Sequence, residues 1–385
     1  MKGLFNLSHL TAGFITVLVG YTSSIAIIFQ AVTAAGGTAQ DFSSWLWAIG
    51  IGMGVNTIGL SLYYRQPVII AWSTPGAALL ATSLSGFTMA EAIGIFLFSS
   101  ALITLCGATG LFAKLMHHIP QPLAAGMLAG VLLQFGINVF SQLSDHLALV
   151  GAMLLSFLVA RQLIARYAVP ISLLVGILVA QQLGQINTNG VSLAFAIPYW
   201  ITPSFNWQGL LGVGLPLFLV TMASQNIPGL AVIRANGYDT PASPLIGWSG
   251  FTGVLLAPVG GFTFNLAAIT AAICMGEEAG NDRNQRYWAA VWAGIFYLLT
   301  GIFGATLVGL LDALPNTLVM AIAGLALLGT IGNSMATGLA DEHSRDAALL
   351  TFLVTASGMS LWGVGSAFWG IVIGLASYHL RPSKH

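Results

Sequence analysis

The sequence predicts an all-α integral membrane protein of about fourteen spans, arranged as two seven-span halves of opposite orientation. Three observations lead there: the composition, the placement of the cations, and two broken apolar stretches half a chain apart. Of 385 residues, 57% are hydrophobic and 6% charged. Soluble domains carry roughly 25% charged residues, so little of this chain is built for water. The net charge is zero, which leaves no basic surface for nucleic acid. Cys106 and Cys274 both fall in apolar sequence and read as small buried residues rather than a disulfide or metal pair. No nucleophile–base set, metal cluster or cofactor loop stands out, so an enzyme, a bound metal and a cofactor are not expected.

Apolar windows place the spans at about 10–30, 43–62, 68–84, 90–112, 119–138, 147–164, 168–184, 208–224, 242–258, 261–276, 287–310, 314–333, 345–362 and 364–380. A full crossing needs roughly 20 apolar residues, and several of these are shorter. The first is too long for the apolar core of a signal peptide. The last two share one apolar run, divided only at Gly358, Gly363 and Gly365.

The cations test this count. With fourteen spans, Lys2, Arg65, Lys114, Arg161, Arg166, Arg234, Arg283, Arg286, Arg345, Arg381 and Lys384 all fall on the side of the two termini. The opposite loops carry Asp41, Glu91, Asp145 and Asp312. The positive-inside rule then makes both termini cytoplasmic.

A repeat supports the halves. Residues 119–138 can be laid on 314–333, so that Pro120 meets Pro315, Leu123 meets Leu318, Leu133 meets Leu328 and Asn138 meets Asn333. These are the fifth and twelfth spans. An offset of seven is odd, so the halves, 1–190 and 191–385, enter the membrane from opposite sides. Inverted repeats of this kind permit alternating access around a midplane site.

The third and tenth spans are the broken pair. One contains Trp72-Ser-Thr-Pro-Gly76 and the other Gly260-Gly-Phe-Thr-Phe-Asn265. Pro and Gly free backbone groups that lipid cannot hydrate, so such breaks must be buried in protein or line a cavity. In the first, an extended piece runs to Trp72 and a half-helix begins near Ser73–Pro75, where Ser caps and Pro suits the first turn. In the second, a half-helix is expected to begin near Phe262–Asn265. Facing helix N-termini would cradle an anion without any Arg or Lys. The competing reading is that Pro and Gly merely kink packed helices.

Two more spans, again seven apart, carry unusual polarity: Gly20-Tyr-Thr-Ser-Ser24 in the first and Thr221 to Gly229 in the eighth. The amides of Gln225 and Asn226 both donate and accept hydrogen bonds. They suit a carboxylate, or serve as interhelical glue. Tyr21, Trp72, Phe262 and Phe264 lie near the breaks and suit an aromatic ligand or plain packing. The candidate substrate residues are Tyr21, Ser24, Ser73, Thr74, Gly76, Gln225, Asn226, Gly261, Phe262 and Asn265. Tyr199, Trp200 and Trp207 read as an interfacial belt, and His117 and His118 as solvated loop residues. No acid lies well inside a span; Glu277 and Glu278, at the end of the tenth, are the nearest candidates for proton coupling.

Gly-Tyr-Thr-Ser-Ser at 20–24, Trp-Ser-Thr-Pro-Gly-Ala-Ala-Leu at 72–79, Ala-Ser-Gln-Asn-Ile-Pro-Gly at 223–229 and Gly-Gly-Phe-Thr-Phe-Asn-Leu-Ala-Ala-Ile-Thr-Ala-Ala at 260–272 resemble the benzoate/proton symporter (BenE) family. The resemblance covers nearly the whole chain. It implies the fold of nucleobase/proton symporters and of sulfate and bicarbonate transporters. In that fold a core of spans 1–4 and 8–11 moves against a gate of spans 5–7 and 12–14, commonly as a homodimer. It also implies a bacterial inner membrane, with substrate between the third and tenth spans. Nucleobase relatives carry a glutamate in the eighth span, where Gln225 or Asn226 stands here. That difference favours a carboxylate ligand, and it leaves the proton-coupling residue open. The expected function is proton-coupled uptake of benzoate or a similar small aromatic carboxylate. A nucleobase, an inorganic anion or an uncoupled anion pathway is the alternative.

Overall fold

The computed structural model describes residues 6–110, 120–188 and 191–380. Lys2, Lys114, His117, His118, Arg381 and Lys384 lie outside the described residues, as do the side chains of Arg166 and Glu278.

The chain is mostly helical. Helices α1 (Leu7–Ala34), α2 (Ala39–Tyr64), α4 (Met89–Thr109), α5 (Gln121–Asp145), α8 (Trp207–Ala235), α9 (Ala242–Leu256) and α13 (Asn316–Leu339) are, among the described residues, the seven long and apolar enough to cross a membrane alone, α9 counted with the short turn to Val259. Shorter apolar helices are α6 (Leu147–Leu163), α7 (Ala168–Gln182) and α15 (Ser366–Leu380), with α14 (Arg345–Ala356) packed on α15. The starts carry good caps. Thr38 and Asp41 form a capping box on α2, and Thr88 and Glu91 form one on α4. Each box satisfies N–H groups that a helix start leaves open.

The eleventh predicted span is not one straight helix. It divides into α11 (Tyr287–Ile302) and α12 (Gly304–Asp312), bent by 67°. The eighth runs further than expected, because the polar run before Pro228 does not end it. Instead α8 contains two π turns, Leu210–Gly214 and Met222–Asn226, preceding Pro216 and Pro228. Proline lacks the N–H that an α-helix needs. The wider turn lets the Ile227 N–H reach Met222 O, so the helix continues.

Helix pairs pack in two groups. α2 packs along α11 and α4 along α9; α5 packs against α13 and α14, and α6 along α7. Small residues bring the first two pairs close, as membrane packing requires. A Cβ on Gly50 would sit 2.4 Å from Gly301 Cα, and one on Gly107 2.3 Å from Gly247 Cα.

The two breaks meet at the centre. Strand β1 (Ile70–Trp72) leads into α3 (Thr74–Ser83), and β2 (Phe264–Leu266) leads towards α10 (Ile269–Met275). The strands pair antiparallel, with Ile70 opposite Leu266, Ala71 opposite Asn265 and Trp72 opposite Phe264. The freed backbone groups are all the more demanding in an apolar interior. They find partners nearby: Ser61 Oγ bonds both N and O of Val68, Thr57 Oγ1 accepts from Ile70 N, and Asn226 Oδ1 accepts from Leu266 N. A second hairpin, β3 (Ser360–Leu361) with β4 (Val364–Gly365), divides α14 from α15 at the expected glycines.

Residues 191–206 run as a strap over one end of the molecule. Ala196 N donates to Ile302 O, Ile201 N to Pro258 O and Ser204 N to Ala90 O. Tyr199 belongs to this strap, and its hydroxyl donates to the Asp41 carboxylate. Burial, and then Asp41, push the Tyr199 phenol up to about 12.

Candidate functional site

A cavity of about 600 Å³ lies beside the β1–β2 ribbon. That size lies within the range of small-molecule sites. Its lining comes from α1, α2, β1, α3, α5, α7, α8, α10, α11 and α13. Both half-helix starts reach it, through Thr74 and Pro75 on one side and Ala267, Ala268 and Thr270 on the other. The lining also includes Gln121 at the start of α5, Ala165 between α6 and α7, and Thr337 near the end of α13. Arg161 lies in the last turn of α6, just before Ala165, and Arg345, at the start of α14, donates to Leu339 O at the end of α13. No residue of the 191–206 strap lines it.

The first break has the predicted geometry. Ser73 is the N-cap of α3, and its Oγ accepts from Gly76 N at 3.0 Å. Ser73 and Gly76 are thereby buried in the cap, and Thr74 is the candidate that reaches the cavity. The second break departs from the expectation. The half-helix begins at Ile269, not near Phe262–Asn265, because 264–266 is extended and hydrogen-bonded to β1. Gly260 has a left-handed φ of +96°, and a Cβ there would lie 2.0 Å from the Trp45 ring. Its glycine serves this turn against Trp45, not a helix start. Gly261, Phe262 and Asn265 are buried and do not line the cavity. Phe262 packs on Trp45 and Phe96 at ring distances of 6.0 and 5.9 Å. The amide of Asn265 meets no hydrogen-bond partner among the described residues. It stands directly across the ribbon from Ala71, which does line the cavity.

The two neighbouring amides of α8 divide. Gln225 lines the cavity, together with Ser224. Asn226 is fully buried and turned to β2, with Oδ1 on Leu266 N at 3.0 Å and Nδ2 3.1 Å from Met222 Sδ. In α1, Ser23 and Ser24 line the cavity, while Tyr21 stands behind Trp72 at a ring distance of 4.8 Å with its hydroxyl 2.8 Å from Thr300 Oγ1. Thr74 Oγ1 donates to Ser24 Oγ at 3.1 Å, which ties α3 to α1. Glu277 is exposed past the end of α10 and does not line the cavity.

Sequence reasoning missed one wall. Thr330, Asn333, Ser334 and Thr337 of α13 line the cavity opposite the ribbon. Their spacing of three and four residues is the period of one helix face, a signal visible in the sequence. Tyr297 of α11 also lines it, its hydroxyl paired with Thr270. Trp72 and Tyr297 supply aromatic surface, and Val19, Met53, Leu128, Val220 and Leu327 supply aliphatic surface. The arrangement offers a small ligand apolar surface together with polar groups: Ser24, Thr74 and Gln225 from α1, α3 and α8, and Thr330, Asn333, Ser334 and Thr337 from α13.

Comparison with known proteins gives a consistent result. The family model described as BenE, benzoate membrane transport protein, matches residues 3–380. The chain is 51% identical to inner membrane protein YdcO of Escherichia coli (strain K12) over 369 residues, covering 96% of this chain and 94% of that one. It is 40% identical to the benzoate membrane transport protein of Acinetobacter baylyi (strain ATCC 33305 / BD413 / ADP1) over 380 residues, covering 99% and 96%. Among solved structures, the transmembrane domain of a cyanobacterial bicarbonate transporter, BicA, superposes with a TM-score of 0.62 at 12% identity, covering 97% of each chain.

Proposed function

This chain belongs to the BenE family of benzoate membrane transport proteins, and we propose on that premise that it takes up benzoate, or a similar small aromatic carboxylate, together with a proton by alternating access. The observation that carries the reading is the cavity beside the paired breaks, with aromatic surface from Trp72 and Tyr297 and polar groups that include Ser24, Thr74 and Gln225. An inorganic anion has no use for Trp72 and Tyr297. A ring gains roughly 1 kcal/mol per aromatic pair, and Ser24, Thr74 and Gln225 suit a carboxyl group.

The fourteen-span, seven-plus-seven arrangement is part of this proposal. In span numbers, α2 on α11 is 2 on 11 and α4 on α9 is 4 on 9; adding or subtracting seven exchanges them. The same operation exchanges α6 on α7 with α14 on α15. The antiparallel register of β1 and β2 suits an axis passing between the breaks. Spans 1–4 and 8–11 then form the mobile core and spans 5–7 and 12–14 the gate, with the cavity between them. With the arginines cytoplasmic, the cavity lining reaches the inner face, the geometry of an inward-open state. A homodimer in the bacterial inner membrane, with both termini cytoplasmic, completes the reading.

A ligand panel tests the substrate. Thermal stabilisation of the purified protein is predicted with benzoate and not with uracil or sulfate, because a ligand that prefers the folded state raises the melting temperature. Stabilisation by uracil or sulfate alone would replace the aromatic acid with the alternative ligand.

A further inference from the structure

We propose that the coupled proton rides on the substrate's own carboxyl group, so that the species held at Ser24, Thr74 and Gln225 is the neutral acid. This rests on the aromatic-carboxylate reading above. It comes from the direction of the hydroxyl bonds that line the cavity. Ser24 Oγ donates to Gly20 O at 3.1 Å, and Ser23 Oγ donates to the same carbonyl at 3.0 Å. Thr74 Oγ1 donates to Ser24 Oγ at 3.1 Å, and Ser224 Oγ donates to Val220 O at 2.6 Å.

A hydroxyl has one hydrogen and two lone pairs, and a carbonyl only accepts. In this bonding pattern each of the four hydrogens has an acceptor within the protein, and Ser23 Oγ and Ser24 Oγ, 3.2 Å apart, can also bond each other with either as donor. What these oxygens present to the cavity is lone pairs. An ionised carboxylate is acceptor-only and gains nothing from such a row; burying it unpaired is expensive. A carboxylic acid fits: its O–H donates to Thr74 Oγ1, and its C=O accepts from the Gln225 amide.

The titratable groups around this point are few. Tyr297 of α11 lines the cavity with its hydroxyl on Thr270. Tyr21 of α1 lies behind Trp72 with its hydroxyl on Thr300. Cys274 of α10 is buried with its sulfur 3.1 Å from Thr16 Oγ1. From α5, α8 and α13 the polar lining is Gln121, Ser224, Gln225, Thr330, Asn333, Ser334 and Thr337. Among the described residues no Asp, Glu, His, Lys or Arg lines the cavity. The proton balance closes without a protein acid. The carboxylate takes a proton from water at the proton-rich face, forming its O–H bond. The neutral acid crosses, and that bond breaks to water on the other side. One proton moves with each substrate, and no protein group changes charge.

The test is calorimetric binding of ring-substituted benzoates of different acidity to the whole protein, each from about pH 5 to pH 8. The apparent Kd is expected to rise about tenfold per pH unit, along a profile displaced between ligands by the difference in their own pKa values. Benzenesulfonate, which stays ionised, is expected not to bind. Thr74→Val is expected to weaken binding, and Thr74→Ser to restore it. A profile whose midpoint stays fixed across the series places the proton on the protein; it overturns this proposal and leaves the substrate reading standing. Binding of benzenesulfonate as tight as benzoate also overturns it. Failure of every benzoate at every pH removes the substrate reading itself.

Discussion

The break before α3 and the break before α10 meet in one antiparallel ribbon, yet their surroundings differ. The first ends in a capped helix: Ser73 holds Gly76 N, Pro75 sits in the first turn, and α3 runs ten residues from Thr74. The second ends in a seven-residue helix without a side-chain cap. It is held from behind, by Gly260 against Trp45 and by Asn226 on Leu266 N. Around the ribbon, polar groups that line the cavity lie at the first break and its neighbours on α1 and α8, while α13 supplies a further polar wall. The second break is a scaffold that fixes where the first one stands. Two breaks joined in one ribbon can thus differ in what they hold.

Substitutions in the scaffold, and of the Ser73 cap, are expected to lower the stability of the ligand-free protein, and those of the cavity-lining side chain Thr74 to lower affinity. Gly260→Ala comes first. It combines a left-handed φ with a Cβ inside the Trp45 ring, and should cost about 3 kcal/mol. Thermal unfolding without ligand reads it; an unchanged midpoint would mean that the turn is not fixed by Trp45. Asn226→Leu follows, at about 2 kcal/mol, because it leaves the buried Leu266 N–H without an acceptor. If this variant keeps its ligand-free stability and loses only binding, Asn226 belongs with the ligand and the comparison fails.

Thr74→Val tests the other side. It should weaken benzoate binding by about tenfold, near 1.4 kcal/mol, while the ligand-free melting temperature stays close to wild type. Ser73→Ala removes the α3 cap and should cost about 1 kcal/mol, read as stability rather than affinity. Asn265→Leu has the smallest expected effect on folding and the sharpest reading. Replacing an unpartnered buried amide with an apolar group of similar size is neutral or stabilising. A drop in transport without a drop in stability would assign Asn265 to the substrate in another conformation.

Much of this was legible in the residues. Apolar windows located the helices, and Ser73 with Pro75 announced the start of α3 because capping chemistry is local. The start of α10 carries no such signal, since the Ala268 side chain has no oxygen to cap with. Gly260 and Gly261 therefore drew the expected start too early. The apolar window ended the eighth span at 224, but the π turn that carries the helix past Pro228 is a tertiary accommodation that no short-range rule announces. Gln225 and Asn226 are chain neighbours on one helix, so they point about 100° apart. Only the packing of β2 decides which of them faces the cavity.

Uptake of labelled benzoate into proteoliposomes, driven by an inward proton gradient, tests the central claim most directly. The account predicts saturable accumulation that collapses when the gradient is dissipated and falls in Thr74→Val. Uptake indifferent to the gradient, or a Thr74→Val protein that accumulates benzoate like wild type, would contradict it.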